Sequence, residues 1–119
     1  MRGASLTPDL AAARLCALAQ DVRAAVVLDG SGALAGSSEQ DPERSRELGR
    51  LTVRLLDAVD SATLEEPPEQ VEAHVERGAV YVVRRPRFTV AAVARRSALS
   101  SLMFYDLRAV LSELEAGAA

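Results

Sequence analysis

A chain of 119 residues with 49% apolar side chains has room for one domain and apolar surface enough for a packed core. A net charge of −3 gives nucleic acid no electrostatic reason to bind, no apolar run is long enough to span a membrane, and no basic segment precedes an apolar one as in a secretory signal. All 14 basic residues are Arg, with Lys, Ile, Asn and Trp missing, a pattern of coding bias rather than chemistry; the single Cys16 cannot form an internal disulfide and fits a reducing cytoplasm.

Residues 1–6 are expected to fray, as are residues 116–119 at the other end, leaving a single domain over 7–115. Thr7-Pro8-Asp9 starts a helix, with a hydroxyl N-cap, Pro at the first helical position and an acid near the positive end of the dipole. This helix is expected from Pro8 to about Gln20, burying Leu10, Leu15 and Leu18. Val22 to Asp29 reads as a strand that is apolar on both faces. Asp29-Gly30-Ser31-Gly32 turns it back into a short strand, Ala33-Leu34-Ala35, and Gly36 to Gln40 reads as polar loop.

Asp41-Pro42-Glu43 repeats the helix-start grammar, and a second helix is expected to run to about Asp60. One of its stripes, Leu48, Leu51, Leu55 and Val59, suits a sheet. Beside it lie Gly49, Val53 and Leu56. This second stripe is either the margin of a wide apolar face or a helix–helix contact between subunits. Gly49 costs about 1 kcal/mol relative to Ala inside a helix, so its smoothness can serve close packing. Glu65-Glu66-Pro67-Pro68 then breaks the helical pattern.

Gln70 to Arg95 reads as three strands joined by turns at Arg77-Gly78 and Arg85-Pro86. The second strand puts Val80 and Val82 on one face and Ala79, Tyr81 and Val83 on the other. The third divides Phe88, Val90 and Ala92 from Ala91 and Val93. Layers on both sides must cover such strands. In the first strand Val71, Ala73 and Val75 alternate with Gln70, Glu72, His74 and Glu76, the mark of a half-buried edge. Ser97 can cap a last helix from Ala98 to about Glu115, with Leu99, Leu102, Met103, Leu107, Val110, Leu111 and Leu114 on its buried face. The order α-β-β-α-β-β-β-α, with hairpin links, predicts a mainly antiparallel five-stranded sheet in an α+β, three-layer α/β/α sandwich.

Catalytic chemistry is hard to write from these residues. Gly30, Gly32 and Gly36 follow a strand, but the next helix starts only at Pro42, too late for a dinucleotide fingerprint, and a Walker motif needs a Lys. His74 is flanked by Glu72 and Glu76, more a solvated strand face or interface rim than a metal site; no metal and no cofactor are expected. Cys16 sits among Leu15, Ala17 and Leu18 as an inert thiol, and Ser100-Ser101 has no base beside it. Arg84, Arg85 and Arg87 cluster at one hairpin, either as a phosphate- or acid-binding patch or as a solubilising turn.

The segments AAVVLDGSGALAG, GAVYVVRRPRFTVAAVARRSAL and LSSLMFYDLRAVLSEL, in this order, resemble the roadblock (dynein light chain) domain over Pro8 to Leu114. The resemblance implies a non-enzymatic domain with its second helix on one sheet face and the first and third on the other. It further implies dimers joined through the middle strands and second helices, and roles as scaffolds or regulators, often of small Ras-like GTPases, some bacterial members activating GTP hydrolysis. Here the joining strand would be Val71-Glu72-Ala73-His74-Val75-Glu76, with Gly49, Val53 and Leu56 at the helix contact. Glu72 and Glu76 either protect a monomer's edge or lie on the solvated face of a sheet continuous through two copies. The expected protein is thus a cytoplasmic homodimer that docks a small GTPase. A scaffold subunit without a GTPase and a small-ligand sensor are the alternatives.

Overall fold

The computed structural model describes residues 6–63 and 65–118. Residues 1–5 and 119, parts of the two expected tails, lie outside the described residues. The elements are α1 (Pro8–Leu18), β1 (Val22–Asp29), β2 (Leu34–Ser37), α2 (Pro42–Ala62), β3 (Gln70–Val75), β4 (Gly78–Arg84), β5 (Phe88–Ala94) and α3 (Ser100–Ala118). The strands form one five-stranded sheet in the order β2-β1-β5-β4-β3, every neighbouring pair antiparallel. This is the α+β sandwich that the element order predicts. The two hairpin groups meet where β1 pairs with β5, from Val22 opposite Ala94 to Asp29 opposite Phe88.

Alternation along the strands divides the core in two. Val27, Tyr81, Val83, Val90 and Ala92 point to the layer made by α1 and α3. Val26, Val71, Val82 and Ala91 point to α2. The first layer is the deeper: Leu107, Leu111 and Leu114 of α3 are fully buried there, and Phe104 meets Tyr81 edge-on with ring centroids 5.5 Å apart. The helix starts form as their sequences dictate. The Thr7 side chain accepts from the Leu10 backbone N–H at 3.2 Å, and Asp41 from that of Glu43 at 3.0 Å.

Several boundaries and burials differ from expectation. α1 stops at Leu18, because Ala19 is extended, and it buries Ala11, Ala12 and Leu15 while Leu10 and Leu18 stay exposed. Its alanines let it lie close on the sheet, so the small residues do the packing expected of the large ones. β2 takes in Gly36 and Ser37, expected as loop, after a register shift opposite Val27 and Leu28. α3 starts at Ser100, later than expected, and runs on to Ala118; Leu99 precedes it, and both Leu99 and Leu102 are exposed. Gly78 is no turn residue. It opens β4, where a Cβ would lie 2.4 Å from the Ala94 carbonyl oxygen, so close strand approach rather than positive φ explains it. Among the described residues only Gly32 has positive φ, at 88°.

Candidate interaction surface

β3 and β2 form the two edges of the sheet. The β2 edge is partly covered, since the Ser37 N–H donates outward to the Asp9 carboxylate at 3.0 Å. β3 pairs with β4 along its whole length, from Gln70 opposite Val83 to Val75 opposite Gly78, and no described element covers its other side. Its side chains divide as the alternation predicts, with one exception. Val71 is buried under α2 and Ala73 is half-buried, but Val75, expected on the buried face, is 60% exposed because the α2 layer does not reach the end of the strand. Glu76 lies past the strand, in the turn to β4.

On the other strand face Glu72 and His74 form a small polar cluster. The Glu72 carboxylate contacts His74 Nε2 and accepts from the Ser100 hydroxyl at 2.8 Å, and the His74 ring stands edge-on to Tyr81. The His74 contact first, and the Ser100 hydrogen bond second, lower the Glu72 pKa. The serine hydroxyl donates to the carboxylate, not to the imidazole, so the three residues do not form a serine–imidazole–carboxylate relay. Cys16 is half-buried against the α1–α3 core. The described residues contain no group of three or more His, Cys, Asp or Glu side chains placed to hold a metal.

α2 meets the sheet with a line that lies between the two stripes read from its sequence. Ser45, Gly49, Thr52 and Leu56 are the buried positions. Ser45 and Thr52 can face inward because their hydroxyls are satisfied, Thr52 donating to the Leu48 carbonyl at 2.8 Å and Ser45 held by Ser37 and the Asp41 carbonyl. Gly49 and Leu56 are therefore covered by their own chain: a Cβ on Gly49 would touch Leu28 and Leu34. Val53 lies on the flank nearer β2. Of the stripe expected at an intersubunit contact, Gly49 and Leu56 thus face the sheet and Val53 is half-buried.

The stripe expected to lie flat on the sheet is the outward flank toward β3. Leu48, Leu55 and Val59 are half-buried against Val71, Val80 and Val82, and Leu51 is 49% exposed. With Ala73, Val75, Val80 and Val93 these leucines make an apolar shelf running from α2 to the uncovered β3 edge.

The arginines of the β4–β5 hairpin do not form a free cationic patch. Arg84 donates to both Asp60 carboxylate oxygens, Nη1 to Oδ2 at 3.0 Å, and to the Pro68 carbonyl at 2.9 Å. It ties the end of α2 to the sheet, and its hydrogen bonds hold the Asp60 carboxyl below the usual carboxylate range. Arg85 donates to Glu69, Ser112 and Glu115, and Glu115 first, then Glu69, raises its pKa. Arg87 is exposed and reaches the Ala118 carbonyl at 3.2 Å. Of the cluster read as either a binding patch or a solubilising turn, Arg84 and Arg85 are thus engaged within the chain. A row of exposed arginines lies elsewhere, with Arg46, Arg50 and Arg54 one turn apart along α2. Their spacing of one helical turn is legible in the sequence, whereas their place beside Leu34 and Val53 depends on how α2 lies on the sheet.

No protein-family model matches the chain, and no curated protein matches it. Solved structures do. A roadblock/LC7 domain from Streptomyces avermitilis superposes with a TM-score of 0.82 at 18% identity, covering 95% of this chain and 97% of that one. Myxococcus xanthus MglB gives 0.74 at 16% identity, with 89% of each chain covered. An MglB structure with a tetrameric arrangement gives 0.67 at 15% identity, covering 98% and 99%. The layers, strand order and helix placement found here are those of a roadblock-like domain, and the chain has the roadblock/LC7 fold.

Proposed function

We propose that this protein is a non-enzymatic interaction domain that forms a homodimer through the β3 edge and the adjoining α2 flank, and that the dimer binds and regulates a small Ras-like GTPase. The observation that carries the reading is the uncovered edge strand bordered by an apolar shelf, on which Val75 and Leu51 stand about half exposed or more. An open edge next to apolar surface is a template for pairing with another chain. A two-fold contact would extend the sheet through both copies and set the Leu51 flanks together, removing both liabilities at once. This places the helix contact at Leu48, Leu51 and Leu55 and takes Val71 to Val75 as the joining strand, with Glu76 in the turn beyond it. GTPase regulation rests on the roadblock-like fold and on the resemblance over Pro8 to Leu114.

A pull-down from the source cell's lysate, run once with GDP and once with a non-hydrolysable GTP analogue, tests the GTPase part. Retention of a small GTPase in one nucleotide state is the expected result. Retention of the same non-GTPase proteins in both states would replace it with the scaffold reading.

A further inference from the structure

The flank of α2 turned away from the apolar shelf borders a groove of about 450 Å³. Leu34, Gly49 and Val53, with Gly32, make its apolar floor, and Arg46, Arg50 and Arg54 its charged wall. Each arginine follows the last by one turn, about 6 Å along the axis. Arg46 is paired with Glu43 at 2.9 Å. Among the described residues, neither Arg50 nor Arg54 makes an ion pair or side-chain hydrogen bond. In a chain of net charge −3, an apolar trough walled by two unpaired guanidinium groups is a local reversal of sign.

We propose that this groove docks an acidic segment of a partner protein, with one apolar side chain seated on Leu34, Gly49 and Val53 and carboxylates paired with Arg50 and Arg54. Charge complementarity names the occupant. Guanidinium groups pair with carboxylates in a fixed two-pronged geometry, and a concave apolar floor desolvates those pairs when it is filled. A small free anion would leave the floor empty. A bilayer needs a broad apolar face, whereas the apolar side chains here are Leu34 and Val53, flanked by three charged arginines. A nucleic-acid backbone is a continuous run of charges, and two unpaired guanidinium groups in a chain of net charge −3 are too few to hold it. The groove is separate from the β3 shelf, so its occupation is compatible with the proposed dimer.

The test is an amide-resonance titration of the full chain with a synthetic helical peptide bearing Glu one turn either side of a single Leu. Its Gln counterpart, phosphatidylserine vesicles and oligo-thymidine serve as comparisons. The Glu peptide should shift the resonances of Leu34, Gly49 and Val53. Its affinity should fall about tenfold or more in the R50E/R54E variant, as for close interfacial charge pairs, with spectral dispersion intact. Both arginines are exposed and unpaired, so that variant should fold; Val53→Gln, altering the floor alone, should weaken the Glu peptide too. Equal binding of the Gln peptide, unchanged affinity in R50E/R54E, or shifts confined to other surfaces would overturn the proposal. So would binding of vesicles or oligo-thymidine alone, or self-association of the free chain through these arginines.

Discussion

Gly36 has no room for a side chain. A Cβ there would lie 2.4 Å from the Pro8 carbonyl carbon and 2.5 Å from the Asp9 nitrogen, and both are backbone atoms that cannot swing aside. Gly36→Ala should destabilise the fold by about 1–3 kcal/mol, as overpacking does, and lower the urea midpoint without changing the slope. Leu107 makes the complementary case, being fully buried between α3 and the sheet. Leu107→Ala should cost about 2–5 kcal/mol by the same measurement, since the surrounding core can collapse only in part. The sequence marks Leu107 as core through helical spacing, but marks Gly36 only as loop. What distinguishes Gly36 is the contact with α1, some 28 residues away along the Ser37–Asp9 hydrogen bond, and no local pattern reports such an approach. The same blindness to tertiary distance misplaced Leu10 and Leu18, where Ala11 and Ala12 make the contact.

At the scale of elements, α2 shows most plainly what patterning can and cannot tell. Its limits were legible because Asp41-Pro42 caps its start and the prolines follow its end. Its orientation was not, because Ser45, Gly49 and Thr52 are the inward residues and look polar or neutral in sequence. Once their hydroxyls are bonded, the leucines are free to lie on the flank. The far end of α2 is held by the Asp60–Arg84 pair, and this has a pH signature. Folding lowers the Asp60 pKa from its ordinary 3.8, so the ionised pair stabilises the fold above that pH and is lost as pH falls through the lowered value. Asp29, bonded first by the Ser31 side chain, and Glu72 are shifted in the same direction. Stability should therefore fall as pH drops below about 4. Asp60→Asn should be less stable than the parent at neutral pH and lose less on acidification, read from thermal melts across that range. A variant with the parent's full acid dependence would show that the pair does not hold α2.

For the whole molecule, the strand order has a consequence that single elements do not. The β1–β5 pairing leaves β2 and β3 at the margins, one capped by Asp9 and the other open. The alternation in Val71 to Glu76 announced that edge, while the exposure of Val75 and Leu51 beside it emerges only when α2 is set on the sheet. The claim that these surfaces join two copies is tested most directly by sedimentation equilibrium of the parent chain and of Leu51→Asp/Val75→Asp. The parent should sediment at twice 12.6 kDa, and the variant should stay folded at 12.6 kDa with unchanged helix content. A parent at 12.6 kDa at every loading concentration, or a variant as dimeric as the parent, would contradict it.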